Sequence, residues 1–516
     1  MPPQPVPSPA TRTPGSAALL TALLDPGSFH PWDSPAAPPA GTGPDHRREL
    51  DDAARAAGTD ESVITGRGRI DGHPVAVVCS EFAFLAGSVG TVAAHRVIRA
   101  VARATAETLP LVLSPASGGT RMQEGNAAFL AMVDIADRIA AHREAGLPVV
   151  GYLRHPTTGG AFASWGSLGS LVFAEPGALI GFLGPKVHRA LHGEPFPPGV
   201  QTAENLHAHG LVDGVVDAGG LRDRVAGILR CTGRGARPPR TPTAPGPAPA
   251  PAPAADPDHA ADPDHAAGVR PADARTAITA TRRDDRPGVR DLLAHARDVV
   301  ELHGTGAGEI AAATVLCLAR LGDTGCVLVG QDRAARRPPG PADLRVAQRG
   351  MQLARELRLP LVTVVDTVGG ELSPAAENGG LAGEIARCLA TMARLPVPTV
   401  SVLLGRGTGG VALALLPADR VLAAGHGWLA PLPPEGASAI VHGTPDRAVE
   451  VAGTQQVTAG ELAALGAVDR IVAEVPDAAD EPIRFVRRLA GVIEDEIAVA
   501  RTVQGLHRSR SGAIGG

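Results

Sequence analysis

Short, continuous apolar runs alternate along this chain with longer stretches in which apolar residues recur every three or four positions. In the first half, Val75–Cys79, Leu111–Leu113 and Val149–Leu153 are compact runs of the kind that form buried strands. Val92–Thr105 and Ala127–His142 carry helical spacing. The second half repeats the alternation. Strands are predicted there at Val327–Val329, Leu361–Val365 and Thr399–Leu404, and helices at Leu344–Leu357 and Gly380–Arg394. Alternating strands and helices predict an α/β fold.

The halves also match in detail. Leu109-Pro110-Leu111-Val112 recurs as Leu359-Pro360-Leu361-Val362, and 50 residues after the start of each comes a glycine pair, Gly159-Gly160 or Gly409-Gly410. Farther on, Leu206, Gly210, Val212, Asp213 and Val215 correspond to Leu462, Gly466, Val468, Asp469 and Ile471. Spacing repeated over such a length predicts two homologous domains. Between them the composition changes: residues 244–254 are almost wholly Pro and Ala, and the hexapeptide at 255–260 is duplicated at 261–266. Such a segment buries too little apolar surface to offset its ordering entropy and reads as a tether, with no metal at its Asp-Pro-Asp-His words. The predicted organisation is a disordered tail over 1–47, interrupted by a short helix at Ala17–Leu24, then a domain over 48–231. A linker over 232–285, a second domain over 286–505 and a flexible tail over 506–516 follow.

Composition narrows the function. The chain has 516 residues, 44% of them hydrophobic but only 3% aromatic, so Ala, Val and Leu must fill the cores. A formal charge of −5, with Lys186 the single lysine, gives no basic footprint for nucleic acid. Cys79, Cys231, Cys317, Cys326 and Cys388 are widely spaced, without zinc-ribbon pairs, and read as reduced thiols. No run approaches a membrane span. The expectation is a soluble cytoplasmic protein with no metal site and no membrane or nucleic-acid partner.

The candidate chemistry lies where strands run into helices. Val149–Leu153 leads into Thr157-Thr158-Gly159-Gly160, and Thr399–Leu404 into Gly407-Thr408-Gly409-Gly410. Glycine lets a ligand approach the main chain closely, and a helix start presents N–H groups that suit a developing oxyanion. A lone Gly-Gly serves more often as a packing turn; two at matched positions favour chemistry. A further glycine turn, Ser117-Gly118-Gly119-Thr120-Arg121, follows the strand at Leu111–Leu113. The chain has no GxxxxGK[ST] loop for a nucleotide triphosphate. Glu124 reads as a carboxylate at a helix start, and His303 as packing or capping. Arg336 and Arg337 read equally as coenzyme A phosphate contacts or as a solvated basic loop.

The stretch Ser114–Gly125, with Pro156–Ser164, Ala174–Phe182, Thr65–Ile70 and Gly87–Gly90, resembles the beta subunit of the bacterial acetyl-coenzyme A carboxylase carboxyltransferase. Val300–Gly304, Val365–Thr367 and Pro434–Gly436 resemble its alpha subunit, so the chain resembles both subunits fused. The resemblance implies two crotonase-like domains of repeated ββα units. It implies carboxyl transfer from carboxybiotin to acetyl-coenzyme A, or to propionyl-coenzyme A, through a thioester enolate. Biotin would come on a separate carrier protein charged by a biotin carboxylase, because the chain lacks a Met-Lys-Met attachment site.

By residue matching, Gly159 and Gly160 would hold the biotin ureido oxygen and Gly409 and Gly410 the thioester oxygen. Gly118, Gly119, Arg121, Gly407 and Gly436 would bind substrate. Three departures stand out. Residues 1–60 hold no cysteine for a zinc ribbon, Val368 replaces a proline after Thr367, and Gln331–Ala342 lacks the family's lysine-rich loop. A malonyl-thioester decarboxylase and an inactive acyl-coenzyme A-binding scaffold are the competing readings. A homodimer or higher homo-oligomer is expected, with a beta-type domain of one chain facing an alpha-type domain of another.

Overall fold

The computed structural model describes residues 15–39, 42–182, 194, 196–233 and 272–513, with side chains as far as 502. Two sheets of the same plan organise it. The first runs in the order His30–Pro31, Val63–Ile70, His73–Ser80, Leu111–Ser114, Val149–Leu153, Leu171–Ala174, Gly214–Val215. Its opening hairpin is antiparallel, with Ile64 opposite Cys79, and all later pairings are parallel. The second repeats this as Asp298–Leu302, Thr314–Leu321, Thr324–Gln331, Leu361–Thr367, Thr399–Thr408, Arg420–Ala424, Arg470–Val472.

Register repeats as well. Leu111 pairs with Val149 in the first sheet, and Leu361 with Thr399 in the second. Each hairpin is followed by a helix, Thr91–Ala106 or Pro341–Leu357, and the fold is mixed α/β built from ββα units. The central strands are buried on both faces, which is why they read as unbroken apolar runs. The outer hairpin strand Val63–Ile70 alternates buried and open positions and carries glycine and arginine, so it lacked that signature.

The halves share one core. Helix Ala218–Thr232 inserts Leu221, Val225, Ile228 and Leu229 among Val300, Leu316, Leu318 and Val327 of the second sheet. A Cβ on Gly227 would stand 2.9 Å from the Val300 methyl, so glycine permits this approach. Ion pairs lock the seam: Arg230 to Asp298 at 2.7 Å, Arg143 to Glu356 at 2.7 Å and Arg349 to Asp213 at 2.9 Å.

Three segments depart from expectation. Residues 30–39, expected to be disordered, run along the first sheet. His30–Pro31 pairs with Gly66–Arg67, and the Asp33 carboxylate accepts the Thr65 N–H and hydroxyl, both at 2.7 Å. An edge strand tolerates proline because one side makes no ladder bonds. Just before it lies helix Ser16–Leu23, with Leu19, Leu20 and Leu23 buried.

Within the stretch assigned to the linker, Ala274–Thr281 is a helix capped by Asp273. Its Ala277 and Ile278 are buried beside Trp428, and the Trp428 Nε1–H donates to Thr281 Oγ1 at 2.8 Å. Small residues packed on one large ring leave little apolar signal in the sequence. Residues 234–271, with the duplicated hexapeptide, lie outside the described residues. The last helix, Pro482–Ala513, continues into the expected flexible tail. Its early turns are anchored by buried Phe485, Leu489, Ile493 and Ile497, and adding turns to a formed helix costs little. Among the described residues no helix is long and apolar enough to cross a membrane.

Candidate active site

Two glycine turns built alike dominate the two halves. In the first, Thr157–Thr158 pairs in parallel with Ile180–Gly181, and the chain then enters a helical turn at Gly159–Ala161. In the second, Arg406–Thr408 pairs with Trp428–Ala430 before helix Gly409–Leu413 begins. Gly159 has φ +59° and Gly409 φ +71°, a backbone region that favours glycine. The following glycines are crowded by the ends of neighbouring side chains. A Cβ on Gly160 would lie 2.9 Å from Thr120 Oγ1, and one on Gly410 2.9 Å from Ile385 Cδ1.

The available donors differ between the turns. The Gly159 N–H donates to the Phe182 carbonyl at 3.0 Å, leaving Gly160 as the member of that pair without a backbone acceptor among the described residues. At the second turn neither Gly409 nor Gly410 has a backbone acceptor among the described residues. N–H groups in the first turn of a helix lack intrahelical partners, so these point outward. Among the described residues this leaves one glycine N–H of the first turn and two of the second without a backbone acceptor.

The glycine turn before each site is a brace. The Gly118 N–H donates to Ala86 O at 2.9 Å and the Gly119 N–H to Ser117 Oγ at 3.0 Å. Gly119 has φ +113°, and its Cα lies 3.4 Å from where a Gly159 Cβ would stand, so two glycines let the turns touch. In the second half the Gly369 N–H donates to Thr367 Oγ1 at 3.2 Å, with Gly369 at φ +122°. The N–H groups of Gly118 and Gly119, two residues expected to bind substrate, are thus used within the protein.

Arg121, expected at the substrate, is 1% exposed and wholly engaged. Its guanidinium pairs with Glu61, donates to Glu124 at 3.0 Å and to Ser88 O at 3.0 Å, and lies over the Phe84 ring. Glu124 accepts the Thr91 N–H at 2.6 Å and the Thr91 hydroxyl at 2.7 Å. It therefore anchors the start of helix Thr91–Ala106, where the dipole favours a carboxylate, instead of its own helix. Burial alone would raise its pKa, but Thr91 and the Arg121 cation hold it below the ordinary value.

Gly407 is a packing residue: a Cβ there would lie 2.9 Å from Trp428 O. Gly436 lies in helix Pro434–His442, which follows the strand paired with Arg406–Thr408, and has open space around it. His303 packs on the His207 ring with centroids 4.1 Å apart, and its backbone N–H donates to the Asp213 carboxylate at 3.1 Å. Burial and the neighbouring His207 lower its pKa. All five cysteines are buried and unpaired, and burial raises the thiol pKa at each of them.

Sequence reasoning missed a cluster beside the second turn. Gln331 is buried; its Nε2–H donates to Val411 O at 3.0 Å and its Oε1 accepts the Asp366 N–H at 3.2 Å. It thereby ties the end of strand Leu361–Thr367 to helix Gly409–Leu413. The buried Asp366 carboxylate accepts from Arg333 at 3.1 Å and from the Arg406 N–H at 3.1 Å. Arg333 and Arg406, 73 residues apart in a chain rich in arginine, gave no local signal.

The comparisons agree with this architecture. Residues 19–510 match the model of the carboxyl transferase domain. A probable biotin-dependent acyl-coenzyme A carboxylase beta3 subunit of Mycobacterium tuberculosis is 55% identical over 490 residues, covering 94% of each chain. The acetyl-coenzyme A carboxylase carboxyl transferase subunits beta/alpha of Saccharopolyspora erythraea are 37% identical over 505 residues, 94% of this chain and 85% of that one. Among solved structures, the transcarboxylase 12S hexamer with hydrolysed methylmalonyl-coenzyme A superimposes with a TM-score of 0.70 at 22% identity, over 94% of this chain and 90% of that one. The last likeness concerns the fold, which is crotonase-like. The chain belongs to the carboxyl transferase family of biotin-dependent acyl-coenzyme A carboxylases.

Proposed function

We propose that the protein moves the carboxyl group of carboxybiotin, presented on a separate carrier protein, to acetyl-coenzyme A and so forms malonyl-coenzyme A. The observation that carries this reading is the pair of helix-start turns, with outward N–H groups at Gly160 and at Gly409 and Gly410. Such donors fit the two carbonyl-type oxygens of the reaction, the ureido oxygen of biotin and the thioester oxygen. Carboxybiotin supplies the carbon dioxide and, after its release, the base.

What the chain contributes is electrostatic. One turn orients the ureido group; the other stabilises the negative charge that develops on the thioester oxygen as the α-carbon loses its proton. That carbanion equivalent then forms a carbon–carbon bond with carbon dioxide. Donors fixed before the reaction cost no reorganisation, and each is worth about 3 kcal/mol of barrier. No nucleophilic side chain is required, in keeping with the inert, buried thiols. The acceptor is taken as acetyl-coenzyme A on the 37% identity to the S. erythraea subunits, whose name specifies it.

Assembly completes the reading. Helix Gly125–Glu144 turns Met132 toward Gly160 and exposes Phe129, Leu130 and Val133; helix Pro434–His442 exposes Ile440 and Val441. Exposed apolar residues on these two helices suit coverage by another chain, so that a homodimer or higher oligomer would bring the two kinds of turn together. The partners would be a biotin carrier protein and a biotin carboxylase.

Purified protein is to be supplied with free carboxybiotin and acetyl-, propionyl- or butyryl-coenzyme A. Malonyl-coenzyme A is expected as the fastest-formed product. Faster carboxylation of propionyl-coenzyme A would replace the acceptor, and decarboxylation of malonyl-coenzyme A without any transfer would overturn the reading.

A further inference from the structure

The helix that carries the second pair of donors, Gly409–Leu413, is only five residues long. A helix that short is not stable by itself in water, so its direction, and that of its N–H groups, is fixed from outside. Three buried polar side chains reach it from neighbouring strands. Gln331 ends strand Thr324–Gln331 and donates through Nε2 to Val411 O at 3.0 Å. Thr363 and Ser401, cross-strand neighbours, both donate to Leu415 O, at 2.6 and 3.0 Å.

The backbone passes over the Val411 carbonyl. The Ala414 N–H goes to Gly410 O at 2.8 Å and the Leu415 N–H to Ala412 O at 3.2 Å, which leaves Val411 O to Gln331. The other end of the same amide accepts the Asp366 N–H at 3.2 Å, and the Asp366 carboxylate accepts the Arg406 N–H at 3.1 Å. One side chain thus grips the turn on both sides, through Arg406 before the glycines and at Val411 after them. Only one orientation of the amide, nitrogen toward Val411, satisfies both contacts.

The first half supplies the contrast. Ala76 pairs with Leu111 as Val327 pairs with Leu361, and Leu113 with Gly151 as Thr363 with Ser401. Ser80 therefore stands where Gln331 stands, and Leu113 and Gly151 where Thr363 and Ser401 stand. Ser80 Oγ makes no hydrogen bond among the described residues, and Leu113 and Gly151 have no side-chain donor. The Gly159 turn is held from its own segment instead, by Ser164 Oγ donating to Gly160 O at 2.6 Å.

We propose that Gln331 is a positioning residue of the second turn, setting the direction of the Gly409 and Gly410 N–H donors. What those donors do rests on the carboxyl-transfer reading; the brace itself does not. Donors of this kind act through alignment, and a misplacement of about 1 Å costs up to roughly a hundredfold in rate.

Gln331→Met, close in size, removes both hydrogen bonds, and Gln331→Asn, too short to reach both partners, is the second variant. Circular dichroism and urea unfolding show whether each folds. Carboxyl transfer from free carboxybiotin to acetyl-coenzyme A is then measured with Gln331→Met alone and combined with Gly160→Val or Gly410→Val. The change should slow transfer at least tenfold in the wild-type and Gly160→Val backgrounds but less than threefold beside Gly410→Val, where the turn it aligns is already spoiled. Hydrogen exchange over 409–415 should quicken at least tenfold while 159–166 keeps its rate.

An equal penalty in all three backgrounds would make Gln331 a stability residue, as would failure of both variants to fold, and either result overturns the proposal. Unchanged exchange over 409–415 in a folded variant overturns it as well. A wild type that transfers no carboxyl group refutes the carboxyl-transfer reading alone, because hydrogen exchange reads the brace without turnover.

Discussion

A valine at position 160 or 410 would drive its branched carbons into Thr120 Oγ1 or Ile385 Cδ1, both ends of side chains that can shift, so each variant should fold. Displacing the N–H donors should then slow carboxyl transfer roughly a hundredfold per turn. Saturation curves for the two substrates tell which turn serves which oxygen; full activity in folded Gly410→Val would remove the oxyanion role from the second turn. Arg121 makes the opposite case. Replacing it by Met strands two buried carboxylates, Glu61 and Glu124, and should cost about 3–5 kcal/mol in urea unfolding. Because its guanidinium is spent inside the protein, KM for acyl-coenzyme A should hold at low temperature in whatever fraction folds.

Between residue and element stands His142, near the end of helix Gly125–Glu144 and joined through Nδ1 to Thr105 Oγ1 at 2.8 Å. Burial lowers its pKa from 6.5 to about 4, so it is neutral in the folded protein. The unfolded chain then binds more protons over that window. The resulting stability is complete above pH 6.5 and is lost as pH falls toward 4, by up to about 3 kcal/mol. Unfolding measured from pH 7 to 4 should show this slope, and His142→Gln should flatten it. The helix Ala274–Thr281 gives a second element-scale test. Thr281→Val leaves the buried Trp428 Nε1–H without its acceptor, and should cost about 2 kcal/mol and loosen that helix in hydrogen exchange.

At the scale of the whole molecule, the favoured pairing of a beta-type domain with an alpha-type domain of another chain has to coexist with a seam inside the chain. The buried Ala218–Thr232 helix and three ion pairs already join them within one chain. The glycine turns take no part in that seam: Gly160 is bordered by Thr120 and Met132 of its own half, Gly410 by Ile385 of its own. A second copy is therefore still needed if the two turns are to face each other. Light scattering should report at least a dimer, and an active monomer would end that proposal. Mixing Gly160→Val with Gly410→Val chains under subunit exchange should restore part of the activity if sites form between chains.

The central strands and their helices were legible from the chain alone, since Leu111–Leu113 and Val149–Leu153 must be buried on both faces to be so apolar. The repeat and the two glycine turns were legible as well, being written in local spacing, and the family showed in the resemblance carried by Ser114–Gly125 and Pro156–Ser164. The outer hairpins, the proline-bearing edge strand at His30–Pro31 and the Ala274–Thr281 helix were not legible, since half-buried or small-residue packing leaves little periodic contrast. Which backbone N–H groups keep an acceptor depends on packing between segments far apart in the chain. The Gly159 donor is taken by Phe182 O, more than 20 residues away in sequence, while its counterpart Gly409 has no backbone acceptor among the described residues. Such packing also turned Arg121 inward and set Gln331 against the Gly409–Leu413 helix. A residue's type fixes what it can donate, but what it meets depends on chain distant in sequence.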